Sequence, residues 1–147
     1  MALTPDQIVG KSKTEHSIQT AFFAWVAIVK HAEARWLHAI PSGGERNAIV
    51  AGRMKAEGVR KGIWDVSLPV AKGGYHGLYI EFKRPEHRNR KNGGLTDEQV
   101  EFGAHCHAQG YRMRVCYTWR EAAATLCEYL GVPLTHAEPP AESVDEG

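Results

Sequence analysis

Apolar residues Ile18, Phe22, Trp25, Ile28 and Val29 recur three and four positions apart, the spacing that lines one face of an α-helix, so a helix is expected over residues 14–33. Glu15 and Gln19 are four apart and share a face bordering that apolar stripe. Residues 36–40 (Trp-Leu-His-Ala-Ile) read as a short strand closed by the loop Pro41-Ser42-Gly43-Gly44, and Asn47 caps a short helix over residues 48–57 that Gly58 ends. Residues 66–70 and 78–82 read as two strands. The Gly73-Gly74 pair between them favours an antiparallel hairpin, and Pro69 makes the first an edge strand or marks its bulged end. Residues 84–94 contain no apolar side chain beyond Pro85 and are expected to be a mobile loop.

Two capping boxes follow, Thr96-Asp97-Glu98-Gln99 and Thr118-Trp119-Arg120-Glu121. The first opens a helix to about residue 109, stopped by Gly110, and the second a helix through Leu130, stopped by Gly131. Between them Met113, Val115 and Tyr117 alternate with polar residues as a strand does. The order α, β, α, β, β, α, β, α specifies an α/β domain with a mixed sheet of about four strands flanked by helices. It divides the chain into an N-terminal arm (1–13), one domain (14–131) and an acidic, Pro-rich tail (132–147) expected to be disordered.

Composition narrows the class. The chain has 147 residues, 43% hydrophobic and 24% charged, which suits a single water-soluble domain with its own core. Its most apolar window, residues 21–29, is too short to span a bilayer, and residues 1–16 lack the apolar core of a signal peptide. Three cysteines without CxxC spacing fit reduced thiols, hence a cytoplasmic protein, bacterial or in the host cell if phage-encoded. His105-Cys106-His107 matches no zinc spacing and is expected on a surface helix.

The net charge of +1 conceals a division: the tail carries Glu138, Glu142, Asp145 and Glu146 without a base, which leaves +5 on residues 1–130. The basic residues cluster as Arg53, Lys55, Arg60 and Lys61, and again as Lys83, Arg84, Arg88, Arg90 and Lys91. A charge run is more often a solvated loop, but these two flank one central stretch, as a phosphate-binding rim would.

That stretch, residues 58–83, holds Asp65 at a strand start and, after fifteen intervening residues, Glu81 and Lys83 two apart on the next strand. Strand alternation points Glu81 and Lys83 to one face. Two carboxylates beside an amine are the inventory of a hard-cation site next to a water-activating group. Mg²⁺ or Mn²⁺ held by Asp65, Glu81 and the Phe82 carbonyl, with Glu15 extending the acid set, would polarise a phosphodiester, and Lys83 would orient the attacking water or accept its proton. The bland alternative is an acid bonded to a turn at Asp65 and a cross-strand ion pair of Glu81 with Lys83. Against it, residues 78–82 are otherwise apolar, where an inward charge is costly without a partner.

Taken together the motifs resemble the VRR-NUC branch of the PD-(D/E)XK nuclease superfamily, in order from residue 14 to residue 130. They are Glu15 with Gln19, Ile40-Pro41-Ser42-Gly43-Gly44-Glu45-Arg46, the run from Met54 to Asp65, Leu78 to Lys83, Leu95 to Gln99 and Gly110-Tyr111-Arg112. The resemblance implies a restriction-endonuclease-like core, Asp65, Glu81 and Lys83 as the catalytic set, and Glu15 and Gln99 as its helix-borne acid and glutamine. One position departs: the family usually has proline before the aspartate, and here Trp64 stands there, to pack on the core or stack on a base. Catalysis is expected to survive the exchange, because proline there contacts no metal.

The compact length looks like the stand-alone phage and bacterial members, which implies a homodimeric endonuclease acting on Holliday junctions or other branched DNA in replication, recombination or repair. The nucleic-acid contacts expected are Arg46, Arg53, Lys55, Arg60, Lys61, Arg84, Arg88, Arg90 and Lys91. The alternatives are a catalytically weak nucleic-acid-binding module of the same fold, and a flap or nicking nuclease acting as a monomer. A hydrolase of small phosphoesters is disfavoured by the two basic clusters and the absence of a P-loop.

Overall fold

The computed structural model describes residues 2–41 and 47–133, and among them are nine α-helices and β-strands. Arg46 and tail residues 134–147 lie outside the described residues. The helices are α1 (Pro5–Val9), α2 (Glu15–Val29), α3 (Ala48–Ala56), α4 (Asp97–Ala108) and α5 (Trp119–Leu130). The strands are β1 (His38–Ala39), β2 (Val66–Leu68), β3 (Leu78–Phe82) and β4 (Arg112–Cys116).

The strands form one mixed sheet in the order β1-β2-β3-β4, with β1–β2 and β2–β3 antiparallel and β3–β4 parallel. The parallel pair follows from the chain between them, which runs through α4 and returns β4 in the direction of β3. The hairpin is as expected, but β2 is shorter, because Pro69 has no N–H for the ladder. β1 is shorter too. Residues Ala32–Trp36 wind into a 3₁₀ turn, and only His38 and Ala39 pair as strand, followed by Ile40, whose N–H donates to the Asp65 carbonyl at 2.7 Å.

Alternation sorts the sheet's two faces. Val66, Leu68, Leu78, Ile80 and Phe82 are buried in one core with Ile18, Ala21, Phe22 and Trp25 of α2 and Ala122, Ala123 and Leu126 of α5. The intervening positions Asp65, Ser67, Tyr79, Glu81 and Lys83 face the other side, where α4 lies and Tyr79 meets Phe102 edge-on at 5.2 Å between ring centres. Cys106, on α4, is buried, and His105 and His107 beside it are exposed, the surface helix expected of that cluster. Cys106, Cys116 and Cys127 are all free thiols.

Two segments are more structured than the sequence pattern indicates. Residues 84–94, expected to be mobile, form a short 3₁₀ turn at Pro85–His87 and a tight turn at Lys91–Gly94 in which Asn92 and Gly93 adopt left-handed backbone. The Tyr117 hydroxyl donates to the Gly93 carbonyl at 2.7 Å, and Arg88 stacks on the Tyr117 ring at 4.4 Å while pairing with Glu121. Within the 1–13 arm, Thr4 and Gln7 form a capping box that starts α1. Asp6 then accepts from Trp119 Nε1 at 3.0 Å and Arg120 at 2.7 Å. Burial works to raise the Asp6 pKa, but the hydrogen bonds from Arg120 and Trp119 outweigh it and hold it below the ordinary value. Asp6→Ala is therefore expected to cost about 1 kcal/mol, discounted because the carboxylate is half exposed, in urea unfolding at neutral pH. The difference should vanish as pH falls below the Asp6 pKa; an undiminished difference at low pH would contradict the tether.

Candidate active site

Hydrogen-bonding along the hairpin draws the two acids together. Asp65 N–H donates to Glu81 Oε1 at 3.2 Å, and Phe82 N–H donates to Asp65 Oδ2 at 2.7 Å, so each carboxylate is fastened to the other acid's strand. Lys83 Nζ lies 3.6 Å from Glu81 Oε2. From α4, Gln99 Nε2 donates to the same Oε2 at 2.8 Å. Asp65, Glu81, Lys83 and Gln99 thus share one site on the α4 face of the sheet, with Glu81 only 2% and Lys83 only 7% exposed.

Its electrostatics are those of an undercompensated acid pair. Burial pushes the Glu81 carboxyl up to about 9, Asp65 adds repulsion, and Lys83 offsets only part of it. Burial likewise raises Asp65, opposed by the Phe82 N–H and reinforced by the Glu15 charge. Glu15, in the first turn of α2, is near enough to repel both acids.

Among the described residues no three His, Cys, Asp or Glu side chains are arranged to hold a metal ion. The donor chemistry nevertheless suits Mg²⁺, which takes one or two carboxylates and fills its remaining positions with waters and substrate phosphate. A divalent cation would relieve the repulsion that raises Glu81. Asp65 and Glu81 are the fitting pair, and the Phe82 carbonyl lies on the strand between Glu81 and Lys83.

The sheet and its flanking helices have a counterpart among solved structures. A "VRR_NUC domain protein" shares 25% sequence identity with this chain, over 82% of this chain and 90% of its own, with a TM-score of 0.64. The fold is VRR-NUC-like. No family model matches the sequence, and no curated protein does. The VRR-NUC-like likeness carries a nuclease-family fold. Among the described residues no helix is long and apolar enough to cross a membrane.

The expected rim residues Arg53, Lys55, Arg60, Lys61, Arg84, Arg88, Arg90 and Lys91 are all exposed. Along the chain one cluster leads into Asp65 and the other leaves Lys83. Gly62 sets the first closely: at φ 87° it abuts α4, where an added Cβ would come within 2.7 Å of Glu98. Not every cation is equally available, since Arg88 is compensated by Glu121 and Arg84 lies 3.9 Å from Glu86. α3, which carries Arg53 and Lys55, has no buried residue.

Trp64 is buried, 4% exposed, and packs rather than presenting a ring to a base. Its Nε1 donates to the Gln99 carbonyl at 2.9 Å. Beneath the indole lies Gly103, where an added Cβ would come within 2.7 Å of the Trp64 ring. A glycine inside an otherwise helical run was the available signal.

Proposed function

We propose that the protein is a Mg²⁺- or Mn²⁺-dependent DNA endonuclease of the PD-(D/E)XK type, selective for branched DNA such as the Holliday junction and working as a homodimer in replication, recombination or repair. The observation that carries this reading is the linked Asp65–Glu81 pair, half-buried at Asp65 and buried at Glu81, with Lys83 beside it on a VRR-NUC-like fold.

Asp65 and Glu81, with the Phe82 carbonyl, would hold the ion, and Glu15 would add its charge nearby. When bound, it polarises the phosphoryl group and lowers the pKa of an attacking water. Lys83, buried against Glu81, orients that water or accepts its proton, while Gln99 fixes the Glu81 carboxylate through Oε2. The exposed cations of residues 53–61 and 84–91 contact the phosphate backbone, and Arg46 would extend them. Two opposed cuts in a junction need two such sites, which is the reason for a dimer.

Cleavage of duplex, flap, splayed-arm and four-way junction DNA with Mg²⁺, mapped on both strands, tests the reading. Paired symmetric nicks in the junction are the expected result. Cuts confined to flaps, by a protein that is monomeric in light scattering, would replace the resolvase with a flap nuclease. No cleavage of any substrate with either metal would leave a nucleic-acid-binding module.

A further inference from the structure

Trp64 is joined to the acid pair by two routes. Along the chain it precedes Asp65, whose N–H donates to Glu81 Oε1 at 3.2 Å. Through its indole, Nε1 donates to the Gln99 carbonyl at 2.9 Å, and Gln99 Nε2 donates to Glu81 Oε2 at 2.8 Å. The two routes close a ring of contacts around one carboxylate, with each Glu81 oxygen held from a different side.

The Gln99 amide has little choice of orientation. Its Oε1 accepts from Thr96 N–H at 2.9 Å, and its own N–H donates to Thr96 Oγ1 at 3.1 Å, the capping box that starts α4. With Oε1 engaged, only the NH₂ side remains to face Glu81, which suits an acceptor. The position of α4 relative to β3 therefore decides where that donor stands. The indole sets this position: it lies 96% buried against the helix, and only a residue without a Cβ fits beneath it at Gly103.

We propose that Trp64 is a positioning residue: seated in the notch at Gly103 and bonded to the Gln99 carbonyl, it holds the first turn of α4 where the Gln99 amide orients Glu81 to receive a divalent cation. The proposal rests on the reading of Asp65 and Glu81 as the cation site. It extends that reading by assigning a task to a side chain that touches neither metal nor DNA. Groups that hold a ligand through an intermediary typically change metal affinity by about 10- to 100-fold when removed.

Mn²⁺ binding to the full chain without DNA, by titration calorimetry, is the test, with melting of the metal-free protein as the fold control. Trp64→Phe keeps a ring in the notch but removes the N–H. It is expected to bind Mn²⁺ about tenfold more weakly, with kcat lowered, KM for DNA unchanged and a cooperative melt retained. Gly103→Ala keeps the indole but displaces it, and is expected to weaken Mn²⁺ in the same direction, so it carries the test should Trp64→Phe not fold. In a Gln99→Ala background, Trp64→Phe should add nothing further, because the link is already cut.

Wild-type Mn²⁺ affinity in both variants, or a full additive loss in the Gln99→Ala background, overturns the proposal while leaving the cation site standing. A wild-type protein that binds no Mn²⁺ overturns the cation site and the proposal with it.

Discussion

Asp65→Asn is expected to lower Mg²⁺-dependent cleavage by roughly 10²- to 10³-fold, the scale of losing one charge-stabilising group at a reacting centre, while leaving DNA binding near wild type. The substitution is nearly isosteric, and an asparagine Oδ1 still accepts from Phe82 N–H, which donates to Asp65 at 2.7 Å in the wild type. The hairpin should therefore survive. What disappears is one of the two charges that draw a cation to the site, together with its repulsion of Glu81. The metal-free variant is accordingly expected to be at least as stable as wild type. Single-turnover cleavage in Mg²⁺, beside gel-shift binding in EDTA, separates the two effects. A variant that cuts within tenfold of wild type would remove Asp65 from the chemistry, and loss of binding in parallel with cleavage would mean that the fold had been damaged.

Glu81→Gln should change how stability depends on pH. The folded-state pKa of Glu81 is raised from 4.5 to about 9. A raised carboxyl binds its proton more tightly when folded than when unfolded, so its stabilising contribution is complete below about 4.5 and is lost as pH rises through about 9. Between pH 4.5 and 7 the loss is on the order of 3 kcal/mol for the metal-free protein, from about 1.4 kcal/mol per pH unit. Glutamine cannot ionise, so Glu81→Gln should be flat over that window apart from other groups, and more stable than wild type at pH 8. Urea unfolding in EDTA at pH 5, 7 and 8 reads this directly. Parallel wild-type and variant curves would show that Glu81 titrates normally. Divalent cations should restore the wild type most strongly at high pH, where the displaced proton is already gone.

The parts of this protein that declared themselves in the sequence are those whose causes are local. The stripe Ile18-Phe22-Trp25, the caps at Thr96 and Thr118 and the Gly73-Gly74 turn act within a few residues, and each marks its element. The meeting of Asp65, Glu81 and Lys83 was also legible, because a hairpin and strand alternation suffice to bring them together. The order of residues 84–94 was not, because it comes from Tyr117 and Glu121, 24 and 33 positions from their partners Gly93 and Arg88. Nor was the anchoring of α1, which depends on Asp6 reaching Trp119 across 113 positions. Trp64 lay between these cases. Its oddity was visible, but its partner Gly103 could be found only once α4 had been laid against the sheet.

The tight connection between β2 and β3 gives the experimenter a handle. Lys72 and Tyr75 exchange backbone hydrogen bonds across Gly73 and Gly74, and neither glycine has anything within 4 Å of where a Cβ would stand. β3 runs away from this connection toward Glu81, so the turn projects from the end of the sheet remote from the acids. A fluorophore, an affinity peptide or a surface tether attached there would leave the acid-bearing end free. For following cuts on single DNA molecules, that is the place to fasten this protein.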